Sequence, residues 1–322
     1  MLRTIPQRRS ATVLRRAVEG ESSRTILIAL FANIIIGIAK LIGGLVSGST
    51  GMLAEAAHSA ADSVNEVFLA VGIYRDRRPP DPAHPLGHGG ERFLWAFMAA
   101  IASFLIGGCL SIAMAIAELK ARHPLSRGLA AWIVLAVAFT ADGTSWTQGI
   151  RQARRQAKEY KLSVWRYIRL SSDPVVRAVL VEDSAALVGL FVAATGLFLS
   201  EIFRTSVPDS LASLVIGILL AVTAFGLARP FADFLVGRSI PSDLFEELKS
   251  IVQEDETVEQ VLSLRAFYSG PEEVVVVAKV HPSAHMDLET FTRAKDDLDH
   301  KIRLALPFVA DVFIDVTANR SE

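Results

Sequence analysis

The sequence predicts an α-helical membrane protein: six transmembrane helices followed by a small α+β domain on the cytoplasmic side. Three observations carry that expectation. Of the 322 residues, 51% are hydrophobic and only 21% charged, more apolar and less charged than a soluble domain. The apolar residues gather in runs of about 20, the length a helix needs to cross roughly 30 Å of hydrocarbon. Charge then divides the chain, because residues 1–239 hold 25 Lys/Arg against 17 Asp/Glu whereas residues 240–322 hold 8 against 17. A basic-looped membrane body followed by an acidic soluble tail gives that switch.

Residues 1–24 carry six Arg and two Glu without an apolar core. That is not the pattern of a secretory signal peptide. An Arg-rich, Ser-containing start reads either as a mitochondrial presequence or as a positive cytoplasmic flank, and the flank is the reading taken. The six apolar runs cover residues 26–46, 52–74, 93–117, 129–146, 175–199 and 211–231. Asp142 and Gly143 make the fourth the weakest. The runs lack the period-two alternation of an outer-membrane barrel. The single cysteine, Cys109, excludes an intrachain disulfide and a Cys-rich metal site, and reads as a small packing residue.

Orientation follows from the connections. The first, residues 47–51, is uncharged; the second, residues 75–92, carries four Arg. The third has Lys120, Arg122 and Arg127, the fourth holds seven Lys/Arg over residues 151–174, and the fifth has only Arg204. Positive charge thus concentrates on the N-terminus and on connections two and four, which the positive-inside bias makes cytoplasmic. Six spans then put both termini, and the acidic tail, on that side.

The tail reads as α-β-β-α-β. Residues 242–253 form a helix with Ser242 as N-cap and acidic residues in its first turn. Residues 258–268 and 273–281 form strands, the second containing a β-branched run and separated from the first by Ser269, Gly270 and Pro271. An amphipathic helix over 287–306 stops at Pro307, and 311–316 is a last strand. This order fits a ferredoxin-like sandwich.

Ionisable residues at membrane depth cost at least ~2.5 kcal/mol each and point to function. The second run contains Glu55, His58, Asp62 and Glu66. Spacings of three, four and four put them on one helix face, with Asn65 at its edge. His58 and Asp62 form an i, i+4 chelating pair of imidazole nitrogen and carboxylate oxygen, suited to Zn²⁺ and also to Co²⁺, Fe²⁺ or Mn²⁺. One helix offers only two ligands, so a second helix must contribute. The fifth run supplies Glu182 and Asp183 as candidates, and Lys40 and Asp142 are the other internal charges. The second connection adds Asp81, His84 and His88, three potential ligands within eight residues shaped by Pro and Gly. In the tail, His281, His285 and Asp287 form a weaker cluster that crosses a strand end. An intramembrane metalloprotease is the rival class, but the chain has no HExxH motif.

The run Ser49-Thr50-Gly51-Met52-Leu53-Ala54-Glu55-Ala56-Ala57-His58-Ser59-Ala60-Ala61-Asp62 and the loop His84-Pro-Leu-Gly-His88-Gly-Gly-Glu-Arg resemble the cation diffusion facilitator family of zinc-transporter-type exporters. The resemblance covers residues 24–322. It implies a basic segment 1–24, a six-helix cation efflux domain over 25–236 and a ferredoxin-like dimerisation domain over 237–322. It further implies a transporter rather than an enzyme: a homodimer that exports Zn²⁺ from the cytoplasm in exchange for protons, by alternating access between helices two and five. His58 and Asp62 match the family's helix-two ligands, and Asp81, His84 and His88 match a peripheral loop site of some members. Helix five departs from the family's HxxxD. It reads Val181-Glu182-Asp183-Ser184-Ala185-Ala186, so Ala186 takes the aspartate's place and offers no ligand. Residues 165–186 resemble a divergent branch that includes mitochondrial members. Export of Mn²⁺, Fe²⁺ or Co²⁺ is the alternative, since a carboxylate-richer site suits harder ions; a transport-impaired metal-binding protein is a third reading. The expected surroundings are a bilayer, such as a bacterial inner membrane or an organelle membrane, with no nucleic acid and no cofactor besides the transported ion.

Overall fold

A computed structural model describes residues 30–31, 33–121, 129–159, 163–164, 174–271, 273–283 and 288–317. The basic start, parts of connections three and four, and His285 with Asp287 lie outside the described residues.

Helix α1 spans Asn33–Ser47 and α2 spans Thr50–Arg75. Between them the chain reverses at Gly48, whose φ of +71° suits a residue without Cβ. Among the described residues four further long helices follow: α3 over Glu91–Ala121, α4 over Leu129–Glu159, α5 over Pro174–Phe203 and α6 over Val207–Val236. These last four are long and apolar enough to cross a membrane. The polar stripe dilutes the apolar character of α2, although the helix is 26 residues long.

The helices turn large apolar side chains outward and small ones inward. Phe191, Phe198 and Phe225 are exposed, whereas Ala193, Ala212 and Ala224 are buried. Close approach through small residues is how helices associate in lipid. Helix α4 continues through Asp142 and Gly143 because Asp142 does not face lipid; its Oδ2 lies 3.5 Å from Lys40 Nζ. The helix also runs 13 residues past the predicted end, to Glu159. Helix α6 ends at Gly237, which adopts the left-handed conformation with φ +101°.

The tail keeps the predicted order. Helix α7 covers Ser242–Gln253, β1 Val258–Gly270, β2 Glu273–Pro282, α8 Leu288–Ala305 and β3 Val309–Val316. One detail differs: Pro241, not Ser242, holds the cap position of α7, and no side chain caps the helix. The sheet order is β1-β2-β3. Strands β1 and β2 pair antiparallel, with Phe267 opposite Val275, and β2 pairs parallel with β3, with Val276 opposite Val312. The parallel pair requires a crossover, and α8 provides it. Val274, Val276, Ala278 and Val280 alternate onto one face and pack on Leu248, Val252, Leu298 and Ile302.

The tail touches the helices at an aromatic junction. Phe93 of α3 stacks on Phe234 of α6 at 4.6 Å between ring centroids, and Tyr268 of β1 meets Phe234 edge-on at 5.3 Å. Arg238 lies over the same ring at 5.1 Å.

Candidate metal site between the helices

Helix α2 carries its polar residues inward because its N-terminus is fixed. Ser49 caps the helix by accepting the Met52 N–H, and its own hydroxyl donates to Asp209 Oδ1 at 2.7 Å. Thr50 Oγ1 and Gly51 N–H donate to Asp209 Oδ2 at 3.0 and 3.2 Å. A buried carboxylate at the start of α6 therefore satisfies the open donors of α2 and complements its dipole.

The acidic stripe divides into parts with different partners. Glu55, fully buried, accepts from Lys40 Nζ at 3.0 Å. Lys40 is itself 1% exposed and also reaches Asp142, so one ammonium ties α1, α2 and α4 together. Glu66 Oε1 accepts from Asn33 Nδ2 at 2.9 Å. His58 and Asp62 lie between these two contacts. His58 Nδ1 is 3.5 Å from Asp62 Oδ1. His58 Nε2 is buried without a hydrogen-bond partner among the described residues.

His58 also lines a narrow cavity. Its polar lining is His58, Asp62, Ser103, Glu182 and Thr223, and its apolar lining includes Ala185, Leu220 and Leu227. Helices α2, α3, α5 and α6 all contribute. Glu182 is steadied by Asn65, whose Nδ2 donates to Glu182 Oε2. Asp183, its neighbour, points elsewhere and accepts from Ser145 Oγ of α4 at 2.9 Å. Neighbours on a helix diverge by about 100°, so the two carboxylates serve different faces. A buried imidazole nitrogen without a hydrogen-bond partner, on a residue that lines one cavity with two carboxylates, is a donor set for a divalent metal ion.

The second cluster sits in the loop between α2 and α3. Asp81, His84 and His88 each offer an atom within 4.8 Å of the others. His88 Nε2 is 2.9 Å from Asp81 Oδ2 and its Nδ1 is 3.0 Å from Glu91 Oε1. Those hydrogen bonds, to Asp81 first and then Glu91, raise the His88 pKa above its ordinary value. The bond from His88, with those from the His84 and Ala83 backbones, holds the Asp81 carboxyl far below the usual carboxylate range. The His84 and His88 rings lie 4.2 Å apart. The loop also meets the tail: a Cβ on Gly89 would lie 2.9 Å from the Cα of Gly270 at the β1–β2 turn. In the tail, His281 Nδ1 lies 2.9 Å from the carbonyl of Thr317, with Nε2 3.7 Å from Glu259.

Sequence reasoning singled out His58, Asp62 and Glu182, and these line one cavity. It missed Ser103, Thr223 and the capping role of Asp209. Their signal in the sequence is weak, since hydroxyls are common in membrane helices and Asp209 stands at a helix start where acids are ordinary.

Residues 26–236 match the model of the cation efflux transmembrane domain. The proton-coupled zinc antiporter SLC30A9, mitochondrial, of Xenopus laevis is 30% identical over 276 residues, 86% of this chain and 49% of that one. Its Homo sapiens namesake is 28% identical over 305 residues, 93% of this chain and 52% of that one. The chain thus spans about half the length of these relatives. The manganese efflux system protein MneP of Bacillus subtilis is 25% identical over 249 residues, 77% of this chain and 80% of that one.

Proposed function

Because the chain belongs to the cation efflux, or cation diffusion facilitator, family, whose members are transporters and not enzymes, we propose that it exports Zn²⁺ in exchange for protons. The cavity lined by His58, Asp62 and Glu182 is its cargo site. The observation that carries this reading is the buried, unpartnered Nε2 of His58 on a cavity that two carboxylates also line. In the inward-open state the ion binds these three side chains. Binding requires the neutral imidazole and ionised carboxylates, so it releases protons. Rocking of the helices exposes the cavity to the other side, where protons return to the ligands and the ion leaves. Asp183, held by Ser145, stays outside the coordination sphere. The namesake activity of the zinc antiporters supports this reading of ion and coupling.

The same proposal covers the architecture. Helices α1 and α2 complete six spans, because Lys40 and Asn33 cover the carboxylates Glu55 and Glu66 that lipid would not tolerate. The division is then a basic N-terminal segment 1–24, a transmembrane domain 25–236 and a cytoplasmic ferredoxin-like domain 237–322 through which two copies pair. Asp81, His84 and His88 form a loop site that takes up metal at the cytoplasmic mouth. Manganese is the second reading, favoured by an oxygen-rich lining of two carboxylates and two hydroxyls around one imidazole.

The test is flux in vesicles containing purified protein. Under an imposed pH gradient the wild type should move Zn²⁺, and His58→Ala should fall to the protein-free rate while remaining folded. Wild-type flux in the folded variant would overturn the cargo site.

A further inference from the structure

The cargo site as described has three ligands and a gap. The residue one turn after Glu182 is Ala186, which is buried and offers no donor. A tetrahedral ion needs a fourth ligand. Two hydroxyls also line the cavity, Ser103 of α3 and Thr223 of α6, and Thr223 already donates to the Leu219 carbonyl.

Helix α3 carries a π-helical stretch over Ser103–Cys109, where Leu110 N–H bonds back five residues to Leu105 O. Such widened turns cluster at functional sites. This one seats Gly107 and Gly108 against neighbouring helices. A Cβ on Gly108 would stand 3.1 Å from the backbone of Ala221, and one on Gly107 3.6 Å from the Cβ of Ala61. The stretch begins at Ser103, which lines the cavity with His58, Asp62 and Glu182. Many helical hydroxyls elsewhere in the body satisfy themselves locally, although Ser111 Oγ, outside the cavity lining, is also buried without a partner among the described residues. Ser63, Thr140, Thr144, Ser184 and Thr195 each donate to the carbonyl four residues back at 2.7–2.9 Å. Ser103 Oγ is buried and makes no hydrogen bond among the described residues. Leaving a buried hydroxyl unpaired costs about 1–3 kcal/mol, so this oxygen is held for a partner that enters the cavity.

We propose that Ser103 is a fourth ligand to the transported ion, binding through its neutral hydroxyl oxygen beside His58 Nε2, Asp62 and Glu182. The charge count agrees. Two carboxylates balance a divalent cation, and a neutral fourth donor leaves the occupied site uncharged at membrane depth, where net charge is costly. The aspartate of the HxxxD pattern would have added a further negative charge. The inference rests on the cargo-site reading above.

Cobalt(II) serves as the probe, in purified full-length protein. The wild type should show tetrahedral cobalt d–d bands that His58→Ala abolishes. Ser103→Cys, made together with Cys109→Ser so that one thiol remains, should add a thiolate-to-cobalt charge-transfer band in the near ultraviolet and shift preference towards Cd²⁺. Ser103→Ala, a substitution that helices accept readily, should bind cobalt about tenfold more weakly or worse. His58-dependent d–d bands without charge transfer in the Cys variant, or unchanged affinity in the Ala variant, would overturn the role of Ser103 alone. Absence of His58-dependent bands in the wild type would overturn the cargo site itself, and Ser103 with it.

Discussion

Replacing Lys40 with Met tests how the helices tolerate their buried charge. Lys40 Nζ lies 3.0 Å from Glu55 Oε2 and 3.5 Å from Asp142 Oδ2, with Glu55 fully buried and Asp142 14% exposed. At an effective dielectric of about 20 each contact carries roughly 5 kcal/mol of Coulomb attraction, opposed by the desolvation of three charges. What a truncation measures is the penalty of leaving the carboxylates unpaired, about 3–5 kcal/mol. Met preserves the volume of the lysine stem, so packing loss is small. The assay is reversible unfolding of the purified protein by SDS in mixed micelles. Lys40→Met should destabilise by about 3 kcal/mol or more, and adding Glu55→Gln should restore at least ~1 kcal/mol by removing one of the stranded charges. The reasoning fails if Lys40→Met unfolds within ~0.5 kcal/mol of wild type, or if the double variant is the less stable of the two.

Asp209→Ala should strip the acceptor from Ser49, Thr50 and Gly51 and cost about 2 kcal/mol or more in the same titration. Asp209→Asn, which keeps one carbonyl acceptor, should recover part of that loss. Gly217→Ala should cost about 1–3 kcal/mol. Its new Cβ would stand 2.9 Å from Ile112 N and 3.1 Å from Gly108 O, backbone atoms that move only if α3 and α6 part; unchanged stability would contradict that contact. In the tail, burial pushes the Asp255 carboxyl up, but Lys301 Nζ at 2.7 Å and the Thr257 donors outweigh it and leave the pKa lowered. A depressed carboxyl stabilises the fold above its unfolded pKa and loses that contribution as pH falls through its folded one. Tail unfolding followed by circular dichroism should therefore steepen below about pH 4, and Asp255→Asn should flatten that acid limb.

Much of this organisation was legible in the sequence because it rests on periodicity. The i, i+3, i+7 spacing of Glu55, His58 and Asp62 defines one face of a helix whatever surrounds it. The alternation of Val274, Val276, Ala278 and Val280 likewise defines the buried face of a strand. Partners across helices were not legible, because they depend on rotation about each helix axis. Nothing local says that Lys40 pairs with Glu55, or that Glu182 and not Asp183 turns to the cavity. Ser103 was invisible for a further reason. It opens a π-helical stretch, and a seven-residue change of winding leaves no hydrophobic period to read. The expected N-cap at Ser242 shifted by one residue because Pro241 already supplies the extended conformation a cap needs, with φ −53° and ψ 147°.

The most direct measurement is an anomalous-scattering map of zinc-soaked protein collected at the zinc edge. The proposed cargo site predicts a peak between α2 and α5, about 2.0–2.1 Å from His58 Nε2 and within bonding distance of Asp62 and Glu182. A map with zinc only at the Asp81, His84 and His88 loop, or beside Asp183, would contradict it.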